Sequence, residues 1–219
     1  MERKSSEKRA SSRRLKAALA SAVDWWKEHG RDFPWRNTGD TFRILVAELL
    51  LQRSRSGSVR SVYIDLLERW PTPTDLKAAD IGSIVEVIKP LGLQQRASRI
   101  KELASAWDGL DQAPTDVSGL LRLPGIGPYS AKATAVAMSW STEPPVDSVS
   151  SRVMNRILGN QSYGKYDDEL AKSIYSHAPR GRWRDLNWAI LDIAAAVCMP
   201  KIPRCDACPN SADCGSSNS

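Results

Sequence analysis

The chain has 219 residues, 42% of them hydrophobic, and a formal net charge of +6. That length buries a substantial core in one domain or two small ones. No apolar run is long enough to cross a bilayer and no charged-then-apolar leader opens the sequence, so a soluble, cytoplasmic product without a membrane partner is expected.

Residues 1–16 carry +5 of the net charge in a Ser-rich stretch without aromatics. This predicts a disordered basic tail, either a solubilising arm or a loose attractor of phosphates. The remainder is near neutral, so the bulk charge is not the footprint of a basic nucleic-acid groove. Helical spacing then recurs along the chain: Leu15, Ala18, Leu19, Ala22, Val23 and Trp26, followed by the most apolar run, Ile44–Leu51. Val59 to Trp70, Ile100 to Trp107, and Leu186 to Val197 repeat the pattern, the last running straight into Cys198. Prolines at 34, 71, 73, 90, 114, 124, 128, 144 and 145 punctuate short connections. No segment alternates as a strand would. The expectation is an all-α protein of about ten short helices with a cysteine loop as C-terminal appendage. Most of the eight Trp lie on apolar stripes, which favours core packing over base stacking.

Four features carry chemistry. Leu123-Pro124-Gly125-Ile126-Gly127-Pro128 follows a short helix, Val117–Leu121, and opens another. Gly125 and Gly127 can take positive φ and leave amides uncovered, and Pro128 suits a first helical position. Free amides and a helix N-terminus then face one point, an anion site; a plain helix–turn–helix corner is the alternative. Asp147 precedes a helix carrying Val149, Val153 and Ile157, where it is an N-cap, a functional carboxylate, or both. Glu48 interrupts the most apolar helix, with Gln52 one turn on sharing its face, so it either lines a pocket or forms a buried ion pair. All four cysteines, Cys198, Cys205, Cys208 and Cys214, fall in the last 22 residues with spacing C-x6-C-x2-C-x5-C. Two disulfides, a structural zinc and a 4Fe-4S cube compete for them. An absent leader disfavours disulfides, and zinc sites more often use two close CxxC pairs. A bulkier cube suits the six- and five-residue arms.

Together these residues resemble the helix–hairpin–helix (HhH-GPD) DNA glycosylase superfamily, in the iron–sulfur branch of endonuclease III and the thymine- and adenine-excising mismatch glycosylases. LPGIG matches the family hairpin, Val146-Asp147 its catalytic aspartate, and the cysteines its cluster loop; their order and separation match over about residues 25–214. Pro34-Trp35, AELLLQRS (47–54), GLQQRASRIKELA (92–104) and LNWAILDIAAAVC (186–198) extend the likeness. The resemblance implies two helical domains flanking a DNA-binding cleft: a six-helix barrel over 40–144, and a cluster domain from 17–39 and 145–219. It implies a partner, double-stranded DNA with a mismatched or damaged base, a 4Fe-4S cofactor, a monomer and a nucleoid location.

By the same resemblance Asp147 supports an oxocarbenium-like sugar and helps activate water. Gly125, Ile126 and Gly127 hold a phosphate, and Gln52 and Arg53 fill the vacated stack. Bifunctional members carry a nucleophilic lysine two residues after the second hairpin glycine; Tyr129 stands there and cannot form a Schiff base. Lys132 lies almost one turn on, as a phosphate contact or surface residue. A monofunctional hydrolytic glycosylase is implied, with Tyr129 at the base pocket. Glu48 matches the glutamate that assists adenine departure, yet LLLQRSRSGSVRSVY is closer to the thymine branch, and the chain stops five residues after Cys214, without the 8-oxoguanine-reading domain of adenine-specific members. Thymine or uracil opposite guanine is therefore expected; adenine opposite guanine or 8-oxoguanine, or a catalytically silent DNA-binding iron–sulfur protein, are the alternatives. Both branches usually place Asn where Val149 stands, a departure in the pocket.

Overall fold

The computed structural model describes residues 2–92, 94–159 and 168–217, with side chains from residue 12 onward. The fold is all-α, with no strand among the described residues. The helices are α1 (Glu2–His29), α2 (Thr41–Leu51), α3 (Ser56–Arg69), α4 (Pro73–Ala78), α5 (Ile81–Ile88), α6 (Arg96–Asp108), α7 (Val117–Leu120), α8 (Pro128–Ala137), α9 (Ser148–Leu158), α10 (Asp168–Tyr175) and α11 (Trp183–Ala196). None is long and apolar enough to cross a membrane. The chain divides into two compact units, Asp32–Ser141 and Met1–Arg31 with Thr142–Ser219.

The continuous unit is built around α2. Eight of the eleven residues of that helix are buried, so it lies within the unit rather than on a surface. It packs on α3, α6 and α8, and Leu45, Leu49, Leu50, Leu66, Ile84, Ile100 and Leu103 are fully buried in its core. Asp40 caps its start, accepting from the Arg43 amide at 3.1 Å. Phe33 and Trp35 stack at 4.7 Å, and Trp35 meets Tyr63 edge-on at 5.4 Å. These aromatic contacts draw residues 32–39 into this core, so the boundary falls at 31/32 rather than the expected 39/40.

In the discontinuous unit α11 packs on both α1 and α9. Leu186, Ala189, Ile190 and Ile193 are fully buried along it. Asp192 on the same helix is buried, yet it accepts from the Arg31 side chain at 2.7 Å, the Arg31 amide at 2.8 Å and the Trp26 indole at 3.2 Å. Several donors offset the cost of burying that carboxylate. The disorder expected over residues 1–16 is not what forms there: α1 reaches back to Glu2. The stretch holds neither Gly nor Pro, Leu15 is buried, and a helix nucleated on a packed face extends by one hydrogen bond per residue. Arg13, Arg14 and Lys16 are exposed, whereas the side chains of Arg3, Lys4, Lys8 and Arg9 lie outside the described residues.

Candidate active site

The corner between α7 and α8 treats its two glycines differently. Gly125 has φ +75°, but Gly127, expected to be equally unusual, is extended at φ −91°, ψ 176° and caps α8. A Cβ at Gly125 meets Leu49 Cδ2 at 3.1 Å, whereas one at Gly127 meets nothing within 4 Å. The backbone therefore requires glycine at 125, while at 127 its absence of side chain leaves the helix N-terminus open. Leu123 and Ile126 are buried in the core of this unit and pin the turn; Pro128 is the first residue of α8, as its missing N–H allows. Gly125→Ala is expected to destabilise the chain by about 1–2 kcal/mol, read as a lower denaturation midpoint at unchanged slope.

Beside this corner α2 ends one residue early. Leu51 is its last residue and Gln52 turns away at ψ 113°, so Gln52 does not share the Glu48 face as helical spacing predicts. Its amide instead donates to the Gly125 carbonyl at 3.2 Å and accepts from Arg99 at 3.4 Å. Arg53, exposed, takes the left-handed conformation at φ +57°. At this break the chain meets Arg96, which sequence reading passed over inside the segment 92–104. It bonds the carbonyls of Leu50 and Gln52 and the Ser54 hydroxyl. Glu48 on α2 and Tyr129 and Lys132 on α8 are all half-buried, on two helices that pack together.

Asp147 belongs to the other unit and is the N-cap of α9. Its Oδ1 accepts from the amides of Val149 at 3.0 Å and Ser150 at 2.7 Å and from the Ser150 hydroxyl at 2.8 Å. The Asp147 amide returns a bond to Ser150 Oγ at 2.9 Å, closing a capping box. No bond to Oδ2 is present among the described residues. One oxygen is thus held by the cap. Val149 contributes its backbone donor to this cap, and its half-buried side chain packs on the unit's core. The same core holds Tyr175, whose phenol burial pushes well above its usual range, with the Asp147 charge adding to the effect.

The four cysteines, spread over 17 residues of chain, come together around one cavity of about 210 Å³ that Arg156, Val197 and Pro203 also line. All four are free thiols, and burial pushes the Cys208 thiol up. Arg156 of α9 donates to Cys198 Sγ at 3.3 Å and to the carbonyls of Met199 and Pro200 at 2.7 and 2.9 Å. Arg152 bonds the Cys198 carbonyl at 3.1 Å, and the Cys214 thiol donates to the Arg156 carbonyl at 3.2 Å. Among the described residues no three His, Cys, Asp or Glu side chains close in around a point as they would for a single ion. Four soft sulfur donors around a cavity of this size fit a body larger than one ion, such as a 4Fe-4S cube.

Residues 46–175, from α2 through α10, match the HhH-GPD superfamily base excision DNA repair protein family. The chain belongs to that family. The match takes in Glu48, the glycine corner and Asp147, and DNA is the polymer on which a base excision repair protein works. A thymine/uracil-DNA glycosylase of Pyrobaculum aerophilum is 35% identical over 198 residues, covering 85% of each chain. An adenine DNA glycosylase of Mycobacterium tuberculosis is 32% identical over 195 residues, and this chain spans 63% of its length. Among solved structures, a thermostable thymine-DNA glycosylase superposes with a TM-score of 0.84 at 30% identity, covering 95% of this chain and 99% of that one.

Proposed function

We propose that this chain is a monofunctional DNA glycosylase that hydrolyses the N-glycosidic bond of thymine or uracil opposite guanine in double-stranded DNA. The observation that carries the proposal is the Asp147 carboxylate, one oxygen locked by three donors and the other without a bond among the described residues, in a chain of this repair family. The mismatched nucleotide leaves the stack before reaction. As the C1′–N bond lengthens, its electron pair departs with the base and positive charge grows on the sugar. Asp147 Oδ2 faces that charge and accepts the proton of the water that adds to C1′. Glu48 and Tyr129 serve the base, with Glu48 assisting its departure. The Gly125-Ile126-Gly127 corner and the ammonium of Lys132 hold backbone phosphate, and Gln52 and Arg53 occupy the space the nucleotide leaves.

Cys198, Cys205, Cys208 and Cys214 would hold a 4Fe-4S cluster. When bound, it supplies a crosslink for a loop with little core of its own, and no step of the hydrolysis needs it. We assign the barrel with its hairpin to the continuous unit, the cluster to the discontinuous one, and a monomer working at the nucleoid to the whole. The identity and mutual coverage of the thymine/uracil relative support the pyrimidine reading. The adenine relative keeps a second reading in play, since Glu48 suits a purine leaving group equally well.

The test is a panel of duplexes carrying G:T, G:U, G:A and 8-oxoguanine:A, incubated and then treated with alkali. Alkali-dependent breaks at G:T and G:U are expected. Breaks confined to the adenine duplexes move the substrate to the second reading, and intact strands throughout overturn the enzyme. Borohydride added during turnover is expected to trap no covalent adduct, since Tyr129 lacks an amine. A trapped adduct defeats the monofunctional assignment and directs attention to Lys132.

A further inference from the structure

We infer that Arg96 is a positioning residue: from the interior of the continuous unit it clamps the Gln52–Arg53 turn in the shape that presents both side chains to DNA. The inference rests on the proposed role of that turn in filling the vacated stack. Arg96 is 3% exposed, although it is the first residue of α6, where a cation opposes the helix dipole. A side chain placed at such a disadvantage needs compensating contacts, and those it makes converge on one turn. Its Nη1 donates to the Leu50 carbonyl at 2.6 Å and to Ser54 Oγ at 3.0 Å, and its Nη2 donates to the Gln52 carbonyl at 2.8 Å. These carbonyls belong to the negative end of α2, so the guanidinium terminates that helix as a C-terminal cap does.

The consequence is local and directional. With its carbonyls taken by Arg96, the chain leaves the helix at Gln52, and Arg53 adopts φ +57°, a region that side-chain-bearing residues rarely occupy. On the outer side Gln52 is gripped again, by Gly125 and Arg99. The turn is therefore held from within and without before any duplex arrives. That order removes the cost of immobilising two long side chains at the moment of binding. Lysine has one point charge and no planar fork, so it reproduces only part of the grip.

The experiment uses the full chain with Arg96→Met, Arg96→Lys and, as control, Asp147→Asn. Affinity is measured for a duplex carrying a tetrahydrofuran abasic analogue opposite guanine and for the same duplex undamaged. Fluorescence of a 2-aminopurine next to a G:T mismatch reports unstacking. Arg96→Met is expected to cut the preference for the abasic duplex about tenfold, equivalent to about 1.4 kcal/mol, and to abolish the fluorescence rise. Arg96→Lys should fall between it and the parent, and Asp147→Asn should match the parent in both readouts. Unchanged preference and fluorescence in Arg96→Met overturn the clamp. So does an equal loss of affinity for both duplexes, which marks general unfolding, and so does a parent chain that shows no preference. A parent that prefers the abasic duplex yet excises no base from the four mismatches leaves the clamp standing and removes the glycosylase reading instead.

Discussion

Asp147→Asn is expected to lower single-turnover base excision by about 10²–10⁴-fold, the usual worth of a positioned proton acceptor, while leaving duplex affinity and thermal stability close to those of the parent. The asymmetry follows from the way the carboxylate is used. Only Oδ1 serves the helix, accepting from Val149, Ser150 and the Ser150 hydroxyl. An asparagine oxygen accepts the same three bonds, and Asn equals Asp as an N-cap. What asparagine removes is the charge and basicity of the second oxygen. Asp147→Ala provides the contrast, because it deletes the cap as well and should cost about 1 kcal/mol of stability in addition to activity. Alkali-cleavage kinetics, melting and gel-shift measurements on the two variants separate the chemical role from the structural one. Turnover that survives in Asp147→Asn places the reacting acid elsewhere.

Cys198→Ala is the second large effect. Protein purified without oxygen should carry about four iron atoms per chain and visible thiolate-to-iron absorbance; the variant should lose most of both and several kcal/mol of stability, because ligand binding here is also folding free energy. The rest of the loop's hold is by scattered hydrogen bonds, such as the Gly215 amide on the Ile157 carbonyl at 2.8 Å and the Arg204 amide on the Val197 carbonyl at 3.0 Å. Beyond Cys198 the described residues form turns and the short helical turn Cys205–Ala207, Ile202 is 78% exposed, and among them the buried Asn210 Oδ1 has no hydrogen-bond partner. Its attachments to the rest of the unit include the Arg152 and Arg156 side chains of α9 and the Arg204 guanidinium on the Ala196 carbonyl. Limited proteolysis should accordingly cut the variant within residues 199–217 at protease levels the parent resists. A colourless parent with one zinc per chain replaces the cluster with a structural ion.

Much of this protein is written in short-range pattern. The period of Leu186, Ala189, Ile190 and Ile193 places α11, Pro128 marks the start of α8, and Asp147 announces the cap of α9, because each depends on residues within a turn or two. The cysteine spacing is equally local and restricts the ligand before any coordinates exist. Where the structure departs from those expectations, a distant partner intervenes. Arg96 lies 44 residues from Gln52, so nothing near the end of α2 foretells that the helix stops at Leu51 and swings Gln52 toward Gly125. Leu49 and Arg99 decide which of the two glycines lies against side chains. Arg31 and Asp192, 161 residues apart, share a buried bond that neither segment signals alone.

Sequence by itself thus determined the helical class, the candidates for the chemistry-bearing side chains and the soft-donor set, since backbone periodicity and side-chain type are properties of neighbouring residues. Tertiary structure alone decided which carboxylate oxygen is bound, which glycine is indispensable and where α2 ends. Those outcomes are set by hydrogen-bond partners that meet only after the chain has packed.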